Sequence, residues 1–172
     1  MPTVLATALG VGILGGIATW GFLSIGTILI WAAFVAWASF FAIGGDNRAV
    51  GLNITSNAFG VFVAWIVALL ILSSPVAGLP APIWVGLLVF ISVVVYILAS
   101  PFAPVSSVPA VTLGYATTFA YISQTPDAFT YASLLSASFK NVLIVIIVSM
   151  TIGTLFGYAS AKLSAAFASK TA

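Results

Sequence analysis

Runs of about twenty apolar residues, parted by short polar gaps, fill nearly the whole chain, and a run of that length crosses the hydrocarbon core of a bilayer as a helix. Of 172 residues 63% are hydrophobic and 3% are charged, whereas soluble domains carry about 25% charged residues. The expected fold class is therefore an all-α integral membrane protein with the lipid bilayer as its first partner.

The charged residues are Asp46, Arg48, Asp127, Lys140, Lys162 and Lys170, and the chain has no His, Cys or Glu. Metal sites of imidazole or thiolate, Cys or His nucleophiles and disulfides are thereby excluded. No cofactor and no metal are expected. A formal net charge of +2 is too small and too scattered for a nucleic-acid surface. No basic segment precedes a short apolar core with a cleavage site, so Met1 to Leu23 reads as a retained first span.

Six spans can be placed, over about Thr3–Leu23, Gly26–Ile43, Ser56–Ser74, Ile83–Ala99, a stretch after Pro109 that ends near Ser123, and Phe139–Ala161. A five-span arrangement with a re-entrant segment at Pro101–Pro109 stays open. Lys and Arg set orientation. With six spans and an inside N-terminus, Arg48, Lys162 and Lys170 lie inside and Lys140 outside, which puts both termini in the cytoplasm.

An internal repeat divides the chain. Ala36-Trp-Ala-Ser-Phe-Phe-Ala42 returns as Gly114-Tyr-Ala-Thr-Thr-Phe-Ala120. Past it Asp46 falls opposite Asp127, and Ser56-Asn-Ala-Phe59 opposite Ser136-Ala-Ser-Phe139. Residues 1–74 then form a first three-helix repeat, 75–82 a connector, and 83–172 a second repeat with a short tail, in one membrane domain. An odd number of spans per half gives two inverted triplets, an arrangement known in transporters and channels. Asp46 and Asp127 each follow a turn signal, where a carboxylate can cap a lead-in helix or stand as a loop residue.

No acidic side chain lies within a span, which argues against a proton-coupled exchanger. No nucleotide-binding loop is present. The polar residues that remain are neutral and sit at corresponding places. Asn53, Thr55, Ser56 and Asn57 lead into the third span; Ser133, Ser136, Ser138 and Lys140 lead into the sixth. Ser39 lies in the second span, Thr117 and Thr118 in the fifth. Such groups can replace part of the hydration shell of a polar solute; equally, Ser and Thr in membrane helices bond to their own backbone or to neighbouring helices. Lys140 can snorkel to the headgroups or place a positive charge at a mouth. Small residues recur every four positions at Gly12/Gly16, Gly60/Ala64/Ala68 and Ser149/Gly153/Gly157/Ala161. Helix packing within the subunit or an oligomer seam both account for this spacing.

The string Trp31-Ala-Ala-Phe-x-Ala-Trp-Ala-Ser-Phe-Phe-Ala-x-Gly-Gly45, with Asn57-x-Phe-Gly60 and Val108-Pro-Ala-x-x-x-Gly-Tyr-Ala-Thr-Thr-Phe-Ala120, resembles the YcdZ-like family of small bacterial inner-membrane proteins. The resemblance implies a bacterial inner-membrane location and supplies no site residues. At fold level alone, the three-plus-three pattern is also similar to the membrane domains of fusaric-acid-resistance proteins and aluminium-activated malate channels, an analogy that assigns no function.

The sequence thus predicts a membrane channel or permease for a small polar or anionic solute, passive or weakly coupled, with a pathway at Asn53, Asn57, Ser136, Ser138, Lys140, Thr117, Thr118 and Ser39. A homo-oligomer is expected, a dimer first. The second reading is a non-transporting scaffold or partner subunit of a larger membrane complex. No acid–base or nucleophile set points to an enzyme.

Overall fold

The computed structural model describes residues 2–73 and 78–169. Residues 75–77 of the expected connector and Lys170 lie outside the described residues, as does the end of the expected third span at Ser74. The described chain is helical throughout: α1 Thr3–Ile25, α2 Ile30–Ala42, α3 Asn47–Leu72, α4 Ala81–Leu98, α5 Val108–Gln124, α6 Tyr131–Leu134 and α7 Val142–Ser169, with a 3-10 turn over Ala103–Val105. Among the described residues α1, α3, α4 and α7 are long and apolar enough to cross a membrane. With 13 residues, α2 measures about 20 Å, short of the ~30 Å hydrocarbon core; the 17 residues of α5 give about 26 Å.

Local chemistry sets the boundaries. Gly26 ends α1 in the left-handed region, at φ 74°, and its N–H bonds back to Phe22. Asp46 caps α3, its carboxylate accepting from the Ala49 N–H at 2.8 Å. That cap starts α3 nine residues before the expected Ser56, and the mixed stretch Asn47–Thr55 joins the span as one 26-residue helix. Asp127 has no such role. It adopts φ 59°, and Thr130 caps the short α6 instead, through its Oγ1 and the Ser133 N–H. Ser107 caps α5.

Packing sets direction. Gly10 of α1 lies against Ser160 and Ser164 of α7, while Phe22 meets Phe156 edge-on, so α1 and α7 are antiparallel. Leu29 bonds Ser149 and Trp37 bonds Ser160, so α2 runs with α7. Asn53 meets Thr154 while the start of α3 shares a recess with Lys162, so α3 opposes α7. Gly60 lies on Val111, and Ala68 shares a cluster with Ile122, so α5 runs with α3. Ser92 meets Tyr115 and Thr112 meets Tyr96, so α4 opposes α5. Helices α1, α3 and α5 therefore point one way, and α2, α4 and α7 the other.

The largest interfaces are α3 on α5 and α2 on α7. Each joins one half of the chain to the other, so the halves share one core. In the most apolar stretches of α3 and α7, 44% of residues are buried, against 17% in α1 and α4. Leu9, Ile13 and Trp20 of α1, and Phe90, Val94 and Val95 of α4, face outward. An apolar belt of that extent is the surface of a membrane-embedded protein.

Candidate functional site

The two large crossings are built alike. A Cβ on Gly60 would collide with the Val111 carbonyl, and a Cβ on Gly153 with the Ala33 carbonyl. Only glycine allows backbones this close. Ala33 and Val111 occupy matching positions of the repeat that sets Ala36–Ala42 beside Gly114–Ala120. Gly60 and Gly153 thus make the same kind of contact in the two crossings, and Ser56 and Ser149 each stand four residues before that glycine. Ser56–Phe59 and Ser136–Phe139 do not share a setting: the first lies inside α3, the second in the loop between α6 and α7. The Gly153/Gly157 stripe faces inward, against Ala33, Trp37 and Phe40, and so offers no oligomer seam.

Between these crossings lies an uncharged polar centre. Asn53 and Ser39 are buried, at 0% and 1% exposure. Ser39 Oγ donates to Asn53 Oδ1 at 2.6 Å, and Asn53 Nδ2 donates to the Ala36 carbonyl and to Thr154 Oγ1, each at 2.8 Å. Thr154 in turn donates to the Met150 carbonyl at 2.9 Å. Asn53 thus ties α2, α3 and α7 together. One turn on, Asn57 is also buried, its backbone carbonyl against Gly114 of α5. Neither Nδ2 nor Oδ1 of Asn57 has a partner, and Ser56 Oγ has none.

Thr117 and Thr118 are buried on α5, and Thr118 donates to the Gly114 carbonyl of its own helix at 2.9 Å. Ser136, Ser138 and Lys140 gather elsewhere. Ser136 and Ser138 share a bond at 3.1 Å, and the Lys140 N–H donates to Ser138, all in the loop before α7. Nearby, Trp65 Nε1 donates to the Leu134 carbonyl. Trp65 stands eight residues beyond Asn57, about 12 Å along the axis. Ser136 is therefore at an end of the bundle and is not brought against Asn57.

Both ends carry open polar recesses. One, of about 600 Å³, is lined by Asp46, Asn47, Arg48, Tyr158 and Lys162. The other, of about 310 Å³, is lined by Tyr121, Thr125, Asp127, Ser133 and Lys140. All described charged side chains line one or other of these recesses, and none lies in the centre. Among the described residues no group of three or more His, Cys, Asp or Glu is placed to hold a metal.

Thr154 is the central residue that sequence reasoning missed. It follows Gly153 of the small-residue stripe, and its bond to Asn53 is visible only once α3 and α7 are packed together.

A family model described as "Protein of unknown function (DUF1097)" matches residues 8–165. The chain belongs to this family. No curated protein and no solved structure matches it. The family's description names no activity.

Proposed function

We propose that this chain is a channel or permease of the bacterial inner membrane for a small polar or anionic solute, passive or weakly coupled, and not an enzyme. Its frame is six spans in two inverted triplets, α1–α3 and α4, α5, α7, with both termini cytoplasmic. Alternating helix directions and the twin glycine crossings support the frame. Non-helical backbone at membrane depth is tolerated where protein covers it, and the Leu29 N–H, donated to Ser149 at 3.0 Å, lets residues 26–29 extend the short α2. Single Cys probes at Asp46 and Asp127 would then be labelled from opposite sides; labelling from one side rejects the inversion.

The observation that carries the transport reading is the uncharged polar centre, with Asn53, Asn57, Ser39, Thr154 and Thr118 buried between recesses at both ends. Polar groups at that depth are costly and are kept where they hold helices or meet a solute. Ser136, Ser138 and Lys140 belong to the outer mouth. The test is a proteoliposome flux panel of urea, formamide, ammonia, glycerol, formate and acetate. Flux of at least one solute above empty vesicles supports the reading, and none rejects it.

The scaffold reading keeps one specific support. Gly12 and Gly16 of α1 meet nothing within 4 Å, so this outward small-residue face is open to a second copy, as a dimer, or to another membrane subunit. Gly12→Leu with Gly16→Leu should then shift the mass distribution in detergent toward monomer.

A further inference from the structure

We propose that the Asn57 carboxamide is the contact at which the pathway selects its solute, and that this solute is a small neutral molecule of the amide class, offering a hydrogen-bond donor and an acceptor together. The inference rests on the transport reading above and narrows its substrate. Asn57 is 1% exposed and both polar atoms of its side chain are unpaired. Buried groups of this kind are nearly always satisfied in native proteins, and an exception calls for a physical reason. Because both atoms are free, it does not matter which of the two is the nitrogen.

Chemistry narrows the partner. A carboxamide presents two donors on nitrogen and an acceptor on oxygen. An anion can satisfy only Nδ2, and leaves Oδ1 facing negative charge. A cation can satisfy only Oδ1. A small amide satisfies both through a paired, two-bond contact. Ser56 Oγ is also unpaired, but a hydroxyl can rotate onto a carbonyl of its own helix, so the argument rests on Asn57. The neighbouring Asn53 is not a competitor, since Ser39, Ala36 and Thr154 already occupy its amide.

The charges agree. Arg48 lies nine residues before Asn57, about 14 Å along α3. Lys140 precedes α7, and Asn57, one turn past the Asn53–Thr154 contact toward that end, lies level with a point about 12 Å from the start of α7. An ion in the centre would lose its hydration with no opposite charge beside it. A neutral solute loses only hydrogen bonds, which Asn57 returns. Since Asn57 is covered where α3 meets Gly114, the α3–α5 crossing has to part for the solute to reach it.

The experiment compares wild type with Asn57→Leu in proteoliposomes, using urea, formamide, formate, acetate and water, beside a thermal melt of each protein. The expected result is passage of urea and formamide at least about tenfold faster than of the two anions. Asn57→Leu should lower amide flux by about tenfold or more while melting at or above the wild-type temperature, because an apolar isostere removes an unpaired group. Should Asn57→Leu not fold, Asn57→Ala, which adds no bulk, is measured in the same way. Anion flux without amide flux overturns this inference and leaves the transport reading standing. Water passing alone, or amide flux unchanged in a folded variant, also overturns it. No flux of any solute overturns both.

Discussion

The α2–α7 and α3–α5 crossings share a backbone design and differ in how they are bonded. Each closes on a glycine, Gly153 or Gly60, set against a carbonyl of the facing helix. Around α2–α7 the polar groups are paired: Leu29 with Ser149, Trp37 with Ser160, and Asn53 with Ser39 and Thr154. At α3–α5, Ser56 and Asn57 are buried without partners. Ser149, which receives a bond from Leu29, and Ser56, which receives none, hold equivalent places. One crossing is thus a finished joint, and the other keeps hydrogen-bonding capacity in reserve. In a membrane, where no water relieves the shortfall, that reserve points to function at the second.

The heaviest test of this likeness is the glycine pair. Gly60→Ala and Gly153→Ala each drive a methyl into backbone, which cannot move aside as a flexible side chain can. Overpacking costs about 1–3 kcal/mol where side chains yield, so both should lose about 3 kcal/mol or more. Gly12→Ala and Gly16→Ala, with open space around them, should be neutral or gain up to about 1 kcal/mol from helix propensity. Unequal losses at Gly60 and Gly153, read by melts in detergent, would break the equivalence.

Next in size is the contrast between the two asparagines. Asn53→Leu removes the three bonds that join it to Ser39, the Ala36 carbonyl and Thr154, and should cost about 3 kcal/mol. Asn57→Leu strands nothing and should fall within about 1 kcal/mol of wild type. A large loss at Asn57 would mean that it is bonded after all.

Smaller effects sharpen the picture. Trp37 and Tyr115, set opposite one another in the sequence comparison of the halves, each bond a serine, Ser160 at 3.1 Å and Ser92 at 2.9 Å. Tyr115→Phe should lose about 1 kcal/mol, and Trp37→Phe, which also removes buried ring volume, somewhat more. The smallest shift belongs to Lys140→Ala, an exposed change worth less than about 0.5 kcal/mol.

Much of the frame was legible in the sequence. Apolar runs placed the helices, Gly44-Gly45 marked the end of α2, and Asp46 was seen as a cap for what proved to be α3. The start of α3 was not, because hydropathy registers apolar runs, and Asn47–Thr55 continues the helix as a mixed stretch in which only Ala49 and Asn53 are buried. Asn53 and Asn57 were both chosen for the site, yet the sequence could not tell them apart. They lie on one face of one helix, and only their neighbours differ, on α2 and α7 for the first and on α5 for the second. Ser136 and Ser56, set opposite one another in the sequence, stand in a loop and in a helix for a related reason. Local likeness carries no information about the extra loop and short helix ahead of α7.

The central claim is that Asn57 is held unpaired for a passing solute while Asn53 is held paired for the fold. Its most direct test follows the side-chain amide resonances of the two residues in protein labelled with nitrogen-15 at asparagine, assigned through Asn53→Ser and Asn57→Leu, during a formamide titration in nanodiscs. The account predicts a saturable shift at Asn57 and a stationary signal at Asn53. A stationary Asn57, or equal shifts at both, would contradict it.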